Sequence, residues 1–186
     1  MKRLLDLLLA LAGTVLLALP ALLIALAIKA TSRGPVLYWS DRVGRGNRIF
    51  RMPKFRTMRV DTPAVATHLL HSPERYLTPI GSFLRRSSLD ELPQLWSILV
   101  GDMSVVGPRP ALFNQQDLIE LRAQHGLDAL RPGLTGWAQI NGRDEIPIPD
   151  KVRFDAYYLQ HRSLALDLRI IGLTIVKVLR REGVSH

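Results

Sequence analysis

The chain has 186 residues, enough for one domain with a substantial core and too few for two large ones. Its 25 Lys and Arg against 16 Asp and Glu leave a net charge of +9, which favours partners carrying phosphate or an anionic membrane surface. Cysteine is absent, which excludes disulfides, thiolate metal sites and a cysteine nucleophile.

The first element, residues 4–28, reads LLDLLLALAGTVLLALPALLIALAI and is apolar except for Asp6 and Thr14. It exceeds the apolar core of a signal peptide and has no small-x-small cleavage pattern near its end, so it is expected to be retained in lipid. A straight helix over it is about 37 Å long at ~1.5 Å per residue, enough to cross a hydrocarbon core of roughly 30 Å. Pro20, however, removes the hydrogen bond to the Leu16 carbonyl and predicts a kink with unequal legs of about 24 and 14 Å. A helix bent in that way can enter one leaflet and return. Lys2 and Arg3 precede the run, and Lys29, Arg33, Arg42, Arg45 and Arg48 follow it, so both ends carry the basic residues typical of a cytoplasmic flank. On these residues alone a spanning helix and a dipping one both remain open.

Short apolar stretches at 36–39 and 49–55, separated by Gly44 and Gly46, predict a small hairpin. The GRGN string between them lacks the Gly-Lys-Ser/Thr end of a P-loop and reads as a turn. Residues 61–78 have no clear period and are assigned to a loop with one short helix. Leu89, Leu92, Leu95, Trp96 and Leu99 then recur at helical spacing, and GDMSVVGPRP follows as a rigid turn. A second amphipathic helix is expected over about 111–124, ended by Gly126, with RPGLTGWAQINGR as loop and short strand. The tail helix, 164–181, carries Leu166, Ile170, Leu173, Val176 and Leu179 on one side, which suits the membrane interface or the core equally. The fold class is therefore α+β and mainly helical. A membrane helix at 1–30 precedes a compact domain at 31–186 that forms one structural unit. His68, His71, His125, His161 and His186 show no metal-ligand spacing.

The most chemical stretch is SSLDELPQL, residues 87–95. Ser88 followed three residues later by Glu91 matches a capping box, which puts Asp90 in the first turn of a helix, where orphan N–H groups and the helix dipole favour an anion. Arg85 and Arg86 lie just before it, and the prolines of GPRP stiffen the backbone around Arg109. Adjacent carboxylates can divide labour, one attacking phosphorus while the other holds a hard divalent cation, with arginines clamping the remaining phosphate charge. Ordinary helix capping accounts for the same two acids. A paired acid, several arginines in stiffened loops and a lipid-buried anchor together point to phosphoryl transfer.

Six strings in this order resemble the small monotopic phosphoglycosyl transferases of bacteria: the proline-bearing anchor, KFRTM, SLDELPQL, GDMSVVGPRP, RPGLTGWAQINGR and FDAYYL. The likeness runs nearly end to end, and with no further membrane segment ahead of the anchor it points to the minimal form of that family. It implies transfer of a sugar-1-phosphate from a UDP-sugar to polyprenyl (undecaprenyl) phosphate, releasing UMP through a covalent aspartyl intermediate at the start of glycoconjugate synthesis. Carried onto this chain, Asp90 is the nucleophile, and Glu91, with Asp90, binds Mg2+. Lys54, Arg56, Arg86, Arg109, Arg143 and Asp155 become candidate phosphate or substrate contacts. The resemblance also implies a re-entrant helix kinked at Pro20, with interfacial amphipathic helices, on the cytoplasmic face of the bacterial inner membrane. The bilayer is then a partner, nucleic acid is not, and a homodimer stays open. The family often has Ser-Pro at the break, whereas this chain has Leu19-Pro20. A reading from another class is a membrane-tethered basic binding module whose acids only cap a helix. Against it, the arginines are scattered through Pro/Gly turns and no nucleic-acid motif occurs.

Overall fold

A computed structural model of the chain describes residues 1–63, 72–142 and 146–180. The apolar run forms two helices, α1 (Lys2–Leu16) and α2 (Ala18–Thr31), bent by 59° at Leu17. The break sits one turn before Pro20 because the proline cannot donate to Leu16 and its ring crowds that turn. Instead of unequal legs set by Pro20 itself, the two arms are about 22 and 21 Å long at ~1.5 Å per residue. Thr14 donates to the Ala10 carbonyl at 2.7 Å, a side-chain back-bond of the kind that bends helices, so a hydroxyl lies near the break after all. Among the described residues no single helix is long and apolar enough to cross a membrane, whereas the bent pair together has the necessary length and composition.

The hairpin is present as β1 (Leu37–Val43) and β2 (Ile49–Phe55), antiparallel, with Leu37 opposite Phe55 and Val43 opposite Ile49. Its turn needs left-handed backbone at Gly46, φ 64°, and at Asn47, φ 56°, the residue types that tolerate it. Two short helices follow, α3 (Gly81–Arg86) and α4 (Gln94–Val100). The helix expected over 89–99 is thus divided: Leu89–Glu91 is a 3-10 turn, and Pro93 stands at the start of α4, where its missing N–H costs nothing. Strands β3 (Ser104–Val106) and β4 (Gly133–Thr135) form a parallel pair, and α5 (Gln116–Gln124) lies between them in sequence. The helix expected from 111 starts five residues later, because Ala111 is buried and its carbonyl accepts from the Val43 N–H at the edge of the hairpin. The chain closes with α6 (Trp137–Asn141), α7 (Ile148–His161) and α8 (Leu164–Arg180). The architecture is α+β and mainly helical.

One face of α1 packs into the core of the domain. Ala10, fully buried, packs with Met52, Ile98 and Met103. Ile28 of α2 packs with Phe55 and Leu84. Asp6, the one acid of the apolar run, is 2 % exposed and accepts from the Ser104 hydroxyl and the Val105 N–H at about 3.0 Å. Lys2 reaches Asp167 at 2.8 Å, Tyr158 donates to the same carboxylate at 2.7 Å, and Arg3 donates to the Ile98 and Leu99 carbonyls at the end of α4. The outer faces of α1 and α2 stay apolar and exposed at Leu8, Leu11, Leu16, Leu19, Leu22 and Leu26. Phe83, Trp96 and Val100 on α3 and α4, and Leu168, Ile175 and Val176 on α8, are exposed as well.

Candidate active site

Asp90 and Glu91 occupy the 3-10 turn between α3 and α4. The chain enters that turn through Ser88, whose φ of 56° is left-handed, and its hydroxyl caps nothing. The capping box is therefore not formed. Glu91 instead points at two cations, accepting from Lys54 Nζ at 2.7 Å and from Arg109 Nη2 at 3.2 Å. Lys54 comes from the end of β2 and also lies 3.7 Å from Asp90 Oδ2. Arg109 comes from the loop after β3, where Gly107 and Gly133 allow two backbones to touch: a Cβ on either would overlap the other strand's main chain.

The two carboxylates differ electrostatically although they are adjacent. Burial pushes Asp90 above the ordinary carboxylate range, opposed chiefly by Lys54 and reinforced by the charge of Glu91. Burial would raise Glu91 too, but Lys54 and Arg109, through charge and hydrogen bonds, outweigh it and hold that carboxyl well below the usual range. Glu91 is thus a locked anion, and Asp90 is the desolvated, less stabilised one. Less stabilised carboxylate oxygens are the better nucleophiles.

Of the residues singled out from sequence, the structure brings Asp90, Glu91, Lys54 and Arg109 together. Arg86 is exposed, and Arg85 faces the pair instead: it donates to the Thr57 hydroxyl at 3.0 Å, and its charge acts on Asp90. The signal was available in helical phase, since Gly81 and Leu84 are the buried positions of α3 and Arg85 lies one turn from Gly81. Arg56 is 4 % exposed and serves the fold, donating to the Pro35 and Ser32 carbonyls and the Ser32 hydroxyl at the end of α2. Asp155 does not reach the pair either. It is 1 % exposed and ion-paired with Arg122 at 2.7 Å, and Arg122 donates to the Arg109 carbonyl at 2.8 Å. Asp155 thus supports the backbone of Arg109 from behind through Arg122, a member of this relay that sequence reasoning missed. Arg143 lies outside the described residues. Pro20 lies on α2, one turn past the break.

The donor set suits a hard divalent cation in one respect, since Mg2+ is usually held by one or two carboxylates plus substrate phosphates. Among the described residues no group of three or more His, Asp or Glu converges, so the pair fits such an ion only alongside phosphate oxygens.

A pair of acids is thus bracketed by Lys54, Arg85 and Arg109, and such cations have the chemistry to bind phosphate oxygens. The chain matches the family model for bacterial sugar transferases over residues 1–181 and belongs to that family. It is 43 % identical over 169 residues, 87 % of its length, to a UDP-glucose:undecaprenyl-phosphate glucose-1-phosphate transferase of Xanthomonas campestris pv. campestris, covering 35 % of that protein. It is 40 % identical over 185 residues to the protein of the same name in Escherichia coli K12, covering 95 % of this chain and 40 % of that one. It is also 36 % identical over 197 residues to the exopolysaccharide production protein ExoY of Sinorhizobium fredii, covering 98 % of this chain and 87 % of that one. The chain spans well under half the length of the first three curated relatives it matches, between 35 % and 42 %.

Proposed function

We propose that the protein transfers a sugar-1-phosphate from a UDP-sugar to polyprenyl phosphate, releasing UMP, and so begins the assembly of a bacterial glycoconjugate. The observation that carries this is the unequal pair: Glu91 clamped between Lys54 and Arg109 at 2.7 and 3.2 Å, and Asp90 beside it with no hydrogen bond of that kind among the described residues. In the first step a carboxylate oxygen of Asp90 attacks the phosphorus that bears the sugar, a new P–O bond forms, and the bond to UMP breaks with its electron pair leaving on UMP. In the second step an oxygen of the polyprenyl phosphate attacks that same phosphorus, and Asp90 leaves as carboxylate. Lys54, Arg85 and Arg109 bind and orient the phosphate oxygens on which charge develops. Asp90 and Glu91 are the residues that would hold Mg2+, which when bound neutralises phosphate charge.

The α1–α2 pair dips into one leaflet of the inner membrane and returns, with the polar site on the cytoplasmic side. The 59° break, the apolar outer faces and the basic residues at both ends support that placement. The test uses purified protein, Mg2+, a panel of UDP-sugars and undecaprenyl phosphate. UMP release is expected from the wild type and essentially none from Asp90→Asn, which keeps the shape and removes the attacking oxygen's charge. Unchanged turnover in Asp90→Asn overturns the assignment of the nucleophile.

A further inference from the structure

The far end of α4 carries a second basic site that the transfer chemistry does not use. Gly101 and Asp102, which follow α4, the hairpin turn at 44–48 and Arg131 ahead of β4 line an open cleft of about 540 Å³. Arg45, Arg48 and Arg131 line it against a single acid, Asp102. Among the described residues none of the three arginines makes a hydrogen bond or ion pair through its side chain, in contrast to Lys54, Arg56, Arg85 and Arg122. Arginines without side-chain partners along one concave surface suit a phosphate anion. The seven residues of α4 put this cleft about 10 Å or more from the carboxylate pair at ~1.5 Å per residue, and Phe50, which lines it, is about 13 Å along β2 from Lys54 at ~3.3 Å per residue.

Its surroundings favour a lipid over a soluble anion. A second hollow, lined by Lys2, Arg3 and Arg162, shares Arg45 and Arg131 with the first, so the basic surface runs on to the start of α1. A Cβ on Gly101 would stand 3.4 Å from the Arg3 guanidinium, which places that group at the rim. The rim is also apolar: Ile49, in the lining, is 55 % exposed, and Val100, next to Gly101, is 51 % exposed. Cations inside and apolar side chains at the edge match an amphiphile with a phosphate headgroup, and basic pockets beside membrane helices are known receptors for such headgroups.

We propose that this cleft is a second anion site that takes the phosphodiester headgroup of an anionic bilayer lipid, fastening the domain to the membrane beside the start of α1. The proposal rests on the membrane placement given above. Protein stripped of lipid in detergent is titrated with short-chain phosphatidylglycerol, short-chain phosphatidylcholine and inorganic phosphate, and bound ligand is counted by native mass spectrometry. Phosphatidylglycerol is expected to bind one per chain and more tightly than phosphatidylcholine. Arg45→Gln, Arg48→Gln and Arg131→Gln are each expected to weaken it about fivefold, the factor that roughly 1 kcal/mol per basic residue gives. The three Arg→Lys replacements keep the preference, which separates loss of charge from loss of fold. Equal binding by wild type and the triple Gln variant overturns the site, and inorganic phosphate that displaces the lipid with equal affinity reassigns it to a soluble phosphate. Flotation with vesicles distinguishes the two levels: wild type that does not float refutes the membrane placement, whereas floating protein without headgroup preference refutes only this site.

Discussion

Lys54→Met removes the ammonium group that lies 3.7 Å from Asp90 and 2.7 Å from Glu91. At an effective dielectric constant near 20, a unit charge pair 3.7 Å apart is worth about 4 kcal/mol, an upper figure because Arg85 and Arg109 remain. Opposite charges at that range move a carboxyl by ~1–3 pH units, each about 1.4 kcal/mol. Asp90 is already raised by burial, and Lys54 is its largest opposing influence, so the variant raises it further. The sign for activity follows from chemistry: attack requires the carboxylate, so turnover falls as pH drops through the Asp90 pKa. The acid limb of kcat/KM, followed as UMP release across a pH series, should therefore move to higher pH by about 1–3 units in Lys54→Met. Glu91 loses the larger of its two counter-charges and keeps Arg109 at 3.2 Å. An acid limb at its wild-type position in a folded Lys54→Met protein refutes the electrostatic account of the pair.

Asp6→Leu removes the one charge of the apolar run, yet it also removes the acceptor for Ser104 and Val105 and a neighbour of Lys2. It should cost about 3 kcal/mol in a denaturant titration, and an unchanged midpoint contradicts the docking of α1. Arg122→Met leaves Asp155 buried without its counter-charge and should cost about 3–5 kcal/mol. Asp155 is already raised by burial, against the pull of Arg122. A raised carboxyl favours the folded state below its unfolded pKa and loses that advantage as pH rises through the folded pKa. The deficit of Arg122→Met should therefore shrink in mildly acid buffer, and a pH-independent deficit counts against the pairing. For topology, a cysteine appended ahead of Met1 and Arg33→Cys, in this otherwise cysteine-free chain, should both be labelled only from the cytoplasmic side. Labelling from opposite sides establishes a spanning helix.

Much of this was legible in sequence wherever one local rule decided the outcome. The hairpin followed from two apolar stretches around Gly44 and Gly46, and the break in the apolar run followed from proline chemistry, though its place, Leu17, depends on which carbonyl loses its donor. Lys54 and Arg109 were legible only as candidate phosphate contacts, and their pairing with Glu91 was not, because they lie 37 and 18 positions away from it. The failures share a cause. Ser-x-x-Glu reads as a capping box only if Ser88 has extended backbone, and tertiary packing puts it in the left-handed region instead. Arg56 and Asp155 lie in strings that carry the resemblance, but their burial and their bonds to the frame depend on tertiary packing that no local string encodes. A buried arginine bonded to two carbonyls looks the same in sequence as one that awaits a phosphate.

Lys2 and Asp167 are 165 positions apart, and among the described residues Arg3 finds its acceptors at Ile98 and Leu99. Synthesis runs from the N-terminus at roughly 5–20 residues per second, so α1 leaves the ribosome many seconds before α8 exists. During that interval Lys2 lacks its latch, and α1 is held by residues 98–105 alone. Residues 98–105 fix α1 first, through Ala10, Arg3 and Asp6, and the Lys2–Asp167 pair is the last tie to close, so a C-terminal truncation reaches the start of the chain at a point remote from its chemistry.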